Sequence, residues 1–486
     1  MTLFTSHKSS SYTDKENKPF VLNKIATYVL WLMFFANIVY LFGFNLNTPN
    51  FIFQDYLKMD SFTVLIWAVV TFFSAIVSSY SENYLRGFEH HSRFVFLSFG
   101  FTLSVMLLVI SNHISLFIFS WMIMGVFMAK LIGVDSKWED AKQASKYTQK
   151  YFMAGTIFLS IGILIPAIMT QNYVLNEILQ NLDKLPKFAI AISALCTIIA
   201  AIIQSAVFPF QRWLLSAMTA PTPASALMHA GFVNGSGILL AIFSTLIFVS
   251  NTYNVLFLIG GLTAIVAQFT KLLQVNVKQR LACSTIAQMG FMIMQCGLGF
   301  FNAAVAHLIL HGFYKAYLFL SAGESIALNT PQKPLKIKIN LPQAIVVVAY
   351  GVLGAFLFTT LTGKGKTLDS GIFLTLVVAI TIGQMTYNIV KQEVLSFFQK
   401  IILPPVLFIS GIVMYALIFN GVSFTMTDMP LTSQAIPLSS FQVIFGILFL
   451  FGFFIMKLGI YRQVPWMYVR LLNASQPNKN TILNYK

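Results

Sequence analysis

Two apolar stretches, FVFLSFGFTLSVMLLVI at 94–110 and ISLFIFSWMIMGVFMAKLIGV at 114–134, follow each other with only the three residues SNH between them. Each approaches or exceeds the ~20 apolar residues that an α-helix needs to cross the hydrocarbon core of a bilayer. The pattern therefore predicts two successive membrane-spanning helices, and stretches of the same kind recur along most of the chain.

The composition places the whole chain in the membrane-protein class. Of its 486 residues, 57% are apolar and 9% are charged, and the mean hydropathy is +0.76. A soluble chain has about 25% charged residues, so a string of soluble domains is excluded. The net charge of +16 would suggest nucleic acid in a soluble protein. In a membrane protein the excess cationic residues accumulate in cytoplasmic loops, so no nucleic-acid partner is predicted.

The sequence has no pattern typical of a metal or cofactor site. Cys196, Cys283 and Cys296 lie in apolar surroundings without CxxC spacing, which predicts neither disulfides nor a zinc site. There is no HExxH motif and no phosphate-binding glycine loop. We therefore expect no cofactor on this chain.

Hydropathy and helix length predict an all-α, polytopic membrane protein with about fourteen spans. The predicted spans are 25–45, 60–80, 94–110, 114–134, 151–169, 188–207, 222–250, 255–273, 282–298, 301–326, 341–363, 371–390, 401–421 and 441–460. When the loops between them are assigned alternately to the two sides, 24 of the 31 cations fall on one side and 5 on the other. This asymmetry predicts that both termini are cytoplasmic. The polar first two dozen residues do not resemble a cleavable signal peptide.

Titratable residues inside the spans are functional candidates, because a charge in the hydrocarbon region is costly. The strongest group is HLILHGFYKAYLF at 307–319, where His307, His311 and Lys315 have i, i+4, i+8 spacing and share one helix face. Such a column suits stepwise proton transfer, since imidazole titrates near neutral pH and a buried lysine can release its proton. The alternative is that these side chains only hydrogen-bond neighbouring helices.

The second candidate region is AVFPFQRWLLSAMTAPTPASALMHAG at 206–231. Pro209 is predicted to interrupt the helix that begins near Phe188, and a break at membrane depth is tolerated where it is buried or lines a wet cavity. Thr222 and Pro223 are predicted as the N-cap and first turn of the next helix, which places His229 about two turns inside it. Alternatively, the prolines only shape a tight reversal.

Three further charged residues are weaker candidates for a functional role. Lys278 lies with Arg280 at the predicted cytoplasmic end of a span, where the sequence alone favours simple positive-inside anchoring over a functional role. Lys130 is about a turn from Asp135 and is able to snorkel toward the cytoplasm. Glu324 is near the end of its span.

From about residue 94 to 387 the chain resembles the proton-translocating antiporter-like subunits shared by respiratory complex I, where they are of the subunit L type, and multisubunit sodium/proton antiporters. FPFQRWLLSAMTAPTPASALMHAG and HLILHGFYKAYLFLSAG are close to the signatures of that superfamily. The runs at 220–234 and 288–316 more narrowly resemble the DabB membrane subunits of inorganic-carbon accumulation complexes.

The resemblance implies two five-helix repeats, 94–250 and 255–390, with the second inverted relative to the first. Residues 1–93 then form an N-terminal segment with two spans, and residues 391–486 hold the C-terminal spans and a tail too short for the long lateral helix of complex I. A second broken helix is expected within 341–363.

The chain departs from the pumping members of the superfamily in its first half. Met122 stands where they have a glutamate, and Gln204 where they have a lysine before the broken-helix proline. The family's pathway residues are matched in this chain by His229, Lys278, His307, His311 and Lys315. Lys364 is a weaker match to the lysine of the second broken helix. Including the residues singled out above, the candidate proton or cation pathway consists of His229, Lys278, His307, His311, Lys315, Lys130, Lys364 and Glu324.

The resemblance implies a non-enzymatic transporter subunit in the cell (inner) membrane, in contact with the lipid bilayer. It is expected to conduct H⁺ or Na⁺ and to drive a DabA-like partner, related to zinc β-carbonic anhydrases, that hydrates CO₂ to bicarbonate. The loops at 135–150 and 327–340 are candidate partner surfaces. Two alternatives stay open: a subunit of a multisubunit Na⁺/H⁺ antiporter, or of a respiratory NADH:quinone oxidoreductase.

Overall fold

The computed structural model describes residues 13–324, 341–365, 369–390, 395–458 and 460–482. In the first half of the chain the elements are α1 (Thr13–Gly43), β1 (Phe51–Phe53), β2 (Leu57–Met59), α2 (Ser61–Tyr84), α3 (His91–Ile110), α4 (Ile114–Ile132), α5 (Glu139–Thr170), α6 (Leu175–Gln180), α7 (Lys187–Gln204), α8 (Arg212–Ser216), α9 (Thr222–Leu227), α10 (Gly235–Ile242) and α11 (Ser244–Val249). The second half has α12 (Tyr253–Leu273), α13 (Val277–Gly297), α14 (Phe301–Glu324), α15 (Leu341–Thr362), α16 (Gly371–Val390), α17 (Phe397–Thr425), α18 (Ser440–Leu458) and α19 (Pro465–Ala474).

Helices occupy every predicted span, which confirms the all-α membrane class. Within the described residues, eleven helices are long and apolar enough to cross a membrane. The helix α13 is outside that group because its two basic and three carboxamide side chains make it less apolar, and the described apolar parts of α16 and α18 are short. The count of fourteen and the inverted repeats therefore stay predictions. The one sheet among the described residues is the antiparallel hairpin β1–β2.

The segment Thr222–Ile242, which consists of α9, a π-helical turn and α10 and is called the broken helix below, is the most buried of the eleven apolar helices. In Thr222–Ile242, 89% of the residues in the most apolar window are buried, against 17% in the corresponding window of α1. The apolar side chains that α1, α15 and α17 leave exposed suit contact with lipid. The broken helix therefore lies at the centre of the bundle, and α14 packs against it.

Glycines allow α12 and α13 to approach each other closely. A Cβ at Gly260 would lie 2.5 Å from the carbonyl oxygen of Gly290, and one at Gly297 would lie 2.3 Å from the backbone nitrogen of Phe257. Small residues at such contacts are the usual means of close helix packing in membranes. This packing fixes the position of the α13 face that meets α14.

The predicted break before the broken helix is confirmed. The helix α7 ends at Gln204, five residues before Pro209, and the chain resumes in the short helix α8. The Phe208–Pro209 peptide bond is cis. The indole nitrogen of Trp213 donates a hydrogen bond to the carbonyl oxygen of Ile203 at 2.7 Å, so one carbonyl at the end of α7 is satisfied from within the protein.

Two local predictions are wrong. Pro221, not Thr222, is the N-cap of α9, so Thr222 and Pro223 are its first two residues and the Thr222 hydroxyl bonds that of Tyr84 at 3.0 Å. The second break expected within 341–363 does not occur, because α15 is continuous and has no proline in its interior. Its glycines serve packing instead: a Cβ at Gly354 would meet the side chain of Ile382 on α16 at 2.1 Å.

Candidate functional site

A stripe of titratable and aromatic side chains runs along α14. It consists of His307, His311, Lys315 and Phe319 at four-residue intervals, which place them on one helix face. The rings of His307 and His311 are stacked with centroids 6.1 Å apart. Neither ring nitrogen of buried His311 has a hydrogen-bond partner among the described residues. The predicted column is therefore continuous, and its middle residue has both nitrogens available for water.

Lys315 is fully buried, with 0% of its surface exposed. Its ammonium donates hydrogen bonds to the carbonyl oxygen of Leu281 at 2.9 Å and to the hydroxyl of Ser284 at 2.5 Å. It forms no ion pair with a described carboxylate. A buried cation held by neutral oxygens costs free energy, and such residues in membrane proteins usually serve transport rather than stability.

His229 reaches the stripe from the broken helix. It lies in a π-helical turn, Met228–Phe232, that joins α9 to the residues before α10. Its Nδ1 is 2.9 Å from the hydroxyl of Thr285, and its ring stacks on Phe319 with centroids 4.3 Å apart. Its buried Nε2 has no partner within the described chain. Single π turns occur often at functional sites, and here the turn places the imidazole against α14.

Asn234 connects this π turn to α14 through hydrogen bonds. Its amide nitrogen donates to the carbonyl oxygens of Ala230 at 2.7 Å and Leu308 at 3.2 Å. The first bond satisfies a carbonyl within the π turn, and the second joins it to the helix of the stripe. The side chain therefore connects the two elements that the site brings together.

One face of α13 connects all these groups. Lys278, Leu281, Ser284 and Thr285 have the spacing of a helix face. The ammonium of Lys278 donates to the carbonyl oxygen of Ala220 at 2.9 Å, just before α9. Lys278 thus contacts the start of the broken helix in addition to lying at a helix end. Ser284 and Thr285 were not predicted, although a polar pair in the apolar segment LACSTIAQ is a signal that could have indicated them.

The first half of the chain has a neutral contact where pumping relatives are expected to have a lysine. The amide nitrogen of Gln204 donates to the carbonyl oxygen of Phe232, at the end of the π turn, at 3.0 Å. Gln204 is buried, and Met122 is half-buried on α4. At Gln204 the structure therefore has a neutral hydrogen bond where the resemblance implies a charged residue.

The other predicted pathway residues are not brought into this cluster by any described contact. Lys130 is exposed on the last turn of α4. Glu324 ends α14, and its side chain lies outside the described part of the structure, as does the 327–340 loop.

Lys364 lies in the turn after α15, not at a break in a helix. Its ammonium donates to the hydroxyl of Ser433 at 2.7 Å and lies 4.2 Å from the ring centre of Phe300, the residue before α14. Burial lowers the pKa of Lys364 to about 8, and nearby Asp369 opposes that shift. Lys364 therefore lies near the N-terminal end of α14, on the side of His307 in the stripe.

His307 opens into a cavity of about 290 Å³ between α13, α14, α15, α16 and α17, which is lined mostly by apolar side chains. The buried carboxamide oxygen of Gln295, also on the wall of this cavity, has no described hydrogen-bond partner. Over the described ranges, no group of three or more His, Cys, Asp or Glu side chains is placed to hold a metal ion.

A broken, largely buried helix beside a histidine and lysine stripe defines a membrane subunit of the antiporter-like class. The family model for NADH:quinone oxidoreductase/Mrp antiporter transmembrane proteins matches residues 111–363. The chain belongs to this family.

Several curated relatives are named as inorganic carbon transporter subunits, and others, at 32% identity, as NADH-ubiquinone oxidoreductase chain 5. The chain is 34% identical over 321 residues to the probable inorganic carbon transporter subunit DabB of Bacillus anthracis, which covers 65% of this chain and 62% of the relative. It is 33% identical over 327 residues to the protein of the same name from Bacillus subtilis (strain 168), with 65% and 63% covered. The matched region thus spans less than two thirds of these relatives.

Among solved structures, the Mrp complex from Dietzia sp. DQ12-45-1b has a chain that superposes with a TM-score of 0.67 and 22% identity, covering 96% of this chain and 56% of that one. At this identity the likeness shows the fold alone.

Proposed function

We propose that this protein is the membrane subunit of an energy-coupled inorganic carbon uptake complex and that it conducts H⁺ through the His229, Lys315, His311 and His307 cluster. The observation that supports conduction is the fully buried ammonium of Lys315, which forms no ion pair with a described carboxylate and lies in a continuous stripe with two imidazoles. The names of the relatives at 33–34% identity support inorganic carbon as the substrate.

The chemistry of the cluster favours H⁺ over Na⁺. Hard cations such as Na⁺ prefer oxygen ligands, whereas the stripe presents one ammonium and basic imidazoles. The hydroxyls of Ser284 and Thr285 and the unbonded nitrogens of His311 offer donors and acceptors through which waters can relay a proton. His307, open to its cavity, would receive or release the proton at one end.

Catalysis is assigned to a partner. A DabA-like subunit related to zinc β-carbonic anhydrases would hydrate CO₂ to bicarbonate, using a zinc-bound water that becomes hydroxide near neutral pH. One charge moving through 100 mV yields about 2.3 kcal/mol, which is enough to give the uptake a direction. The chain itself would lie in the cell (inner) membrane with both termini cytoplasmic.

The candidate partner surface is the cytoplasmic start of α5, within 135–150. The helix α5 has 32 residues, about 48 Å at 1.5 Å per residue, and is longer than the ~30 Å hydrocarbon core. Its first turns therefore extend beyond the bilayer, where Lys142, Lys146 and Lys150 are exposed.

The proposal is tested by affinity purification from native membranes, followed by a growth assay. We expect a large zinc protein to copurify, and coexpression of both genes to restore growth in air to a host that lacks carbonic anhydrase. If the chain instead copurifies with several small membrane subunits and supports only sodium-dependent growth, it is an antiporter subunit. Copurification with redox cofactors would indicate an NADH:quinone oxidoreductase.

A further inference from the structure

A second cavity, of about 510 Å³, lies between α12, α13, α16 and α18, outside the stripe. Its polar lining comes from three helices. Gln268 and Lys271 are three residues apart on α12, Gln288 is on α13 and Thr381 is on α16. Residues three apart on a helix share a face, so the carboxamide of Gln268 and the ammonium of Lys271 are presented to the same space.

Among the residues that the structure describes, Lys271 has no counter-ion in this cavity. None of the described residues that line it is acidic, and the side chains of Lys271, Gln268 and Gln288 make no hydrogen bond or ion pair with another described residue. Arg280 and Lys315, both cationic, are close enough to repel Lys271. A half-buried ammonium with unpaired amides beside it costs free energy unless a bound group supplies negative charge and acceptors.

We infer that this cavity is a binding site for a small oxyanion. The ammonium of Lys271 supplies the charge, and the amide nitrogens of Gln268 and Gln288 donate to the oxygens of the anion. Under the proposed function, on which this identification rests, the anion is bicarbonate. The phosphate of an anionic lipid presents the same chemistry, so the test distinguishes these two sources.

The site has a direct relation to the proton stripe. Phe291 and Thr381 line both this cavity and the smaller one into which His307 opens, so the two spaces adjoin. A bound anion would lower the free energy of a protonated His307 across this shared wall. Anion occupancy and proton conduction would then be coupled within the subunit.

The test uses the full-length protein in nanodiscs and needs neither partner nor transport. Calorimetric titration with bicarbonate in phosphatidylcholine discs, at constant ionic strength with chloride as the competing anion, should show saturable binding. Lys271→Gln should weaken binding at least about tenfold, as expected for the loss of one charge-assisted hydrogen bond. Lys187→Gln, which changes an exposed lysine, should leave it unchanged.

A second variant distinguishes loss of the binding site from misfolding. Gln288→Glu has nearly the same shape and gives Lys271 a carboxylate inside the cavity. It should retain the wild-type melting temperature or raise it, yet abolish bicarbonate binding, because the internal anion replaces the bound one.

A parallel arm measures thermal stability in discs with phosphatidylglycerol and no bicarbonate. If this lipid stabilises the wild type but not Lys271→Gln, while bicarbonate gives no heat, the oxyanion site stands and its ligand is a lipid phosphate. If both variants respond to both ligands as the wild type does, the inference is overturned. Binding without carbon uptake in the growth assay would reject the proposed function and leave the site intact.

Discussion

The imidazole of His229 stacks on the ring of Phe319, with centroids 4.3 Å apart and planes 15° from parallel. Phe319 lies four residues after Lys315 on the stripe of α14, so the stack extends the stripe to a histidine from a different helix. The stacked rings exclude water from one side of His229, while its Nδ1 bonds Thr285. The two halves of the candidate pathway therefore meet at an aromatic contact.

We expect Lys315→Met to abolish proton conduction. Methionine fills nearly the same volume but neither binds nor releases a proton, and it leaves Leu281 and Ser284 without their donor. The measurement is quenching of a pH-sensitive dye in proteoliposomes under an imposed membrane potential. Lys187→Met, at an exposed position, is the matched control and should conduct normally. Equal conduction by both variants would remove Lys315 from the pathway.

Ser284→Ala should reduce conduction without abolishing it. The ammonium of Lys315 keeps its bond to Leu281 but loses the hydroxyl, and leaving a buried charged donor partly unsatisfied costs about 1–3 kcal/mol. Denaturation in detergent measures the stability change, and the dye assay measures conduction. Ser160→Ala is the control, since that hydroxyl bonds only a carbonyl of its own helix. If the Ser284 variant matches this control in stability and conduction, the contact between Lys315 and Ser284 has no role in conduction.

Gly260→Ala should destabilise the bundle. A Cβ at this position would lie 2.5 Å from the carbonyl oxygen of Gly290 and from the backbone nitrogen of Met294, so α12 and α13 would have to separate. Overpacking of this kind costs about 1–3 kcal/mol. Gly411→Ala on α17 meets nothing within 4 Å and should be neutral or slightly stabilising. Melting temperatures of both variants test the prediction, which fails if Gly260→Ala melts with the wild type.

Lys364 should give stability a specific dependence on pH. Burial lowers its pKa from 10.5 to about 8 in the folded protein. Between these values the unfolded chain binds the proton and the folded one does not, so the free energy of unfolding rises with pH. Below pH 8 the cost of burying the charge is fully present. Melting temperatures from pH 7 to 10 should therefore rise less in Lys364→Met than in the wild type. Parallel curves would contradict the burial of this ammonium.

The stripe of α14 was predictable because its residues are close in sequence. Spacings of i, i+4 and i+8 fix a shared face as soon as the segment is helical, so His307, His311 and Lys315 were identified together. The contact between Lys315 and Ser284 joins residues 31 apart, and that between His229 and Thr285 joins residues 56 apart. Such contacts depend on how helices pack, which hydropathy does not encode.

The errors also have physical reasons. The π turn at His229 has no hydropathy pattern of its own, so 222–250 was predicted as one uninterrupted span. The break expected in 341–363 came from resemblance, but this segment has no interior proline and its glycines pack against α16. The cavity around Lys271 was missed because the sequence shows only a cation at a predicted cytoplasmic helix end, which positive-inside anchoring already explains.

The central claim is that proton movement through this cluster drives inorganic carbon uptake. The most direct measurement is accumulation of ¹⁴C-labelled inorganic carbon in proteoliposomes that contain the chain and its copurified partner, with and without an imposed proton gradient. We predict that the gradient drives accumulation in the wild type, that a protonophore abolishes it, and that Lys315→Met shows none although the complex still assembles. Gradient-driven accumulation by Lys315→Met at the wild-type rate would contradict the account.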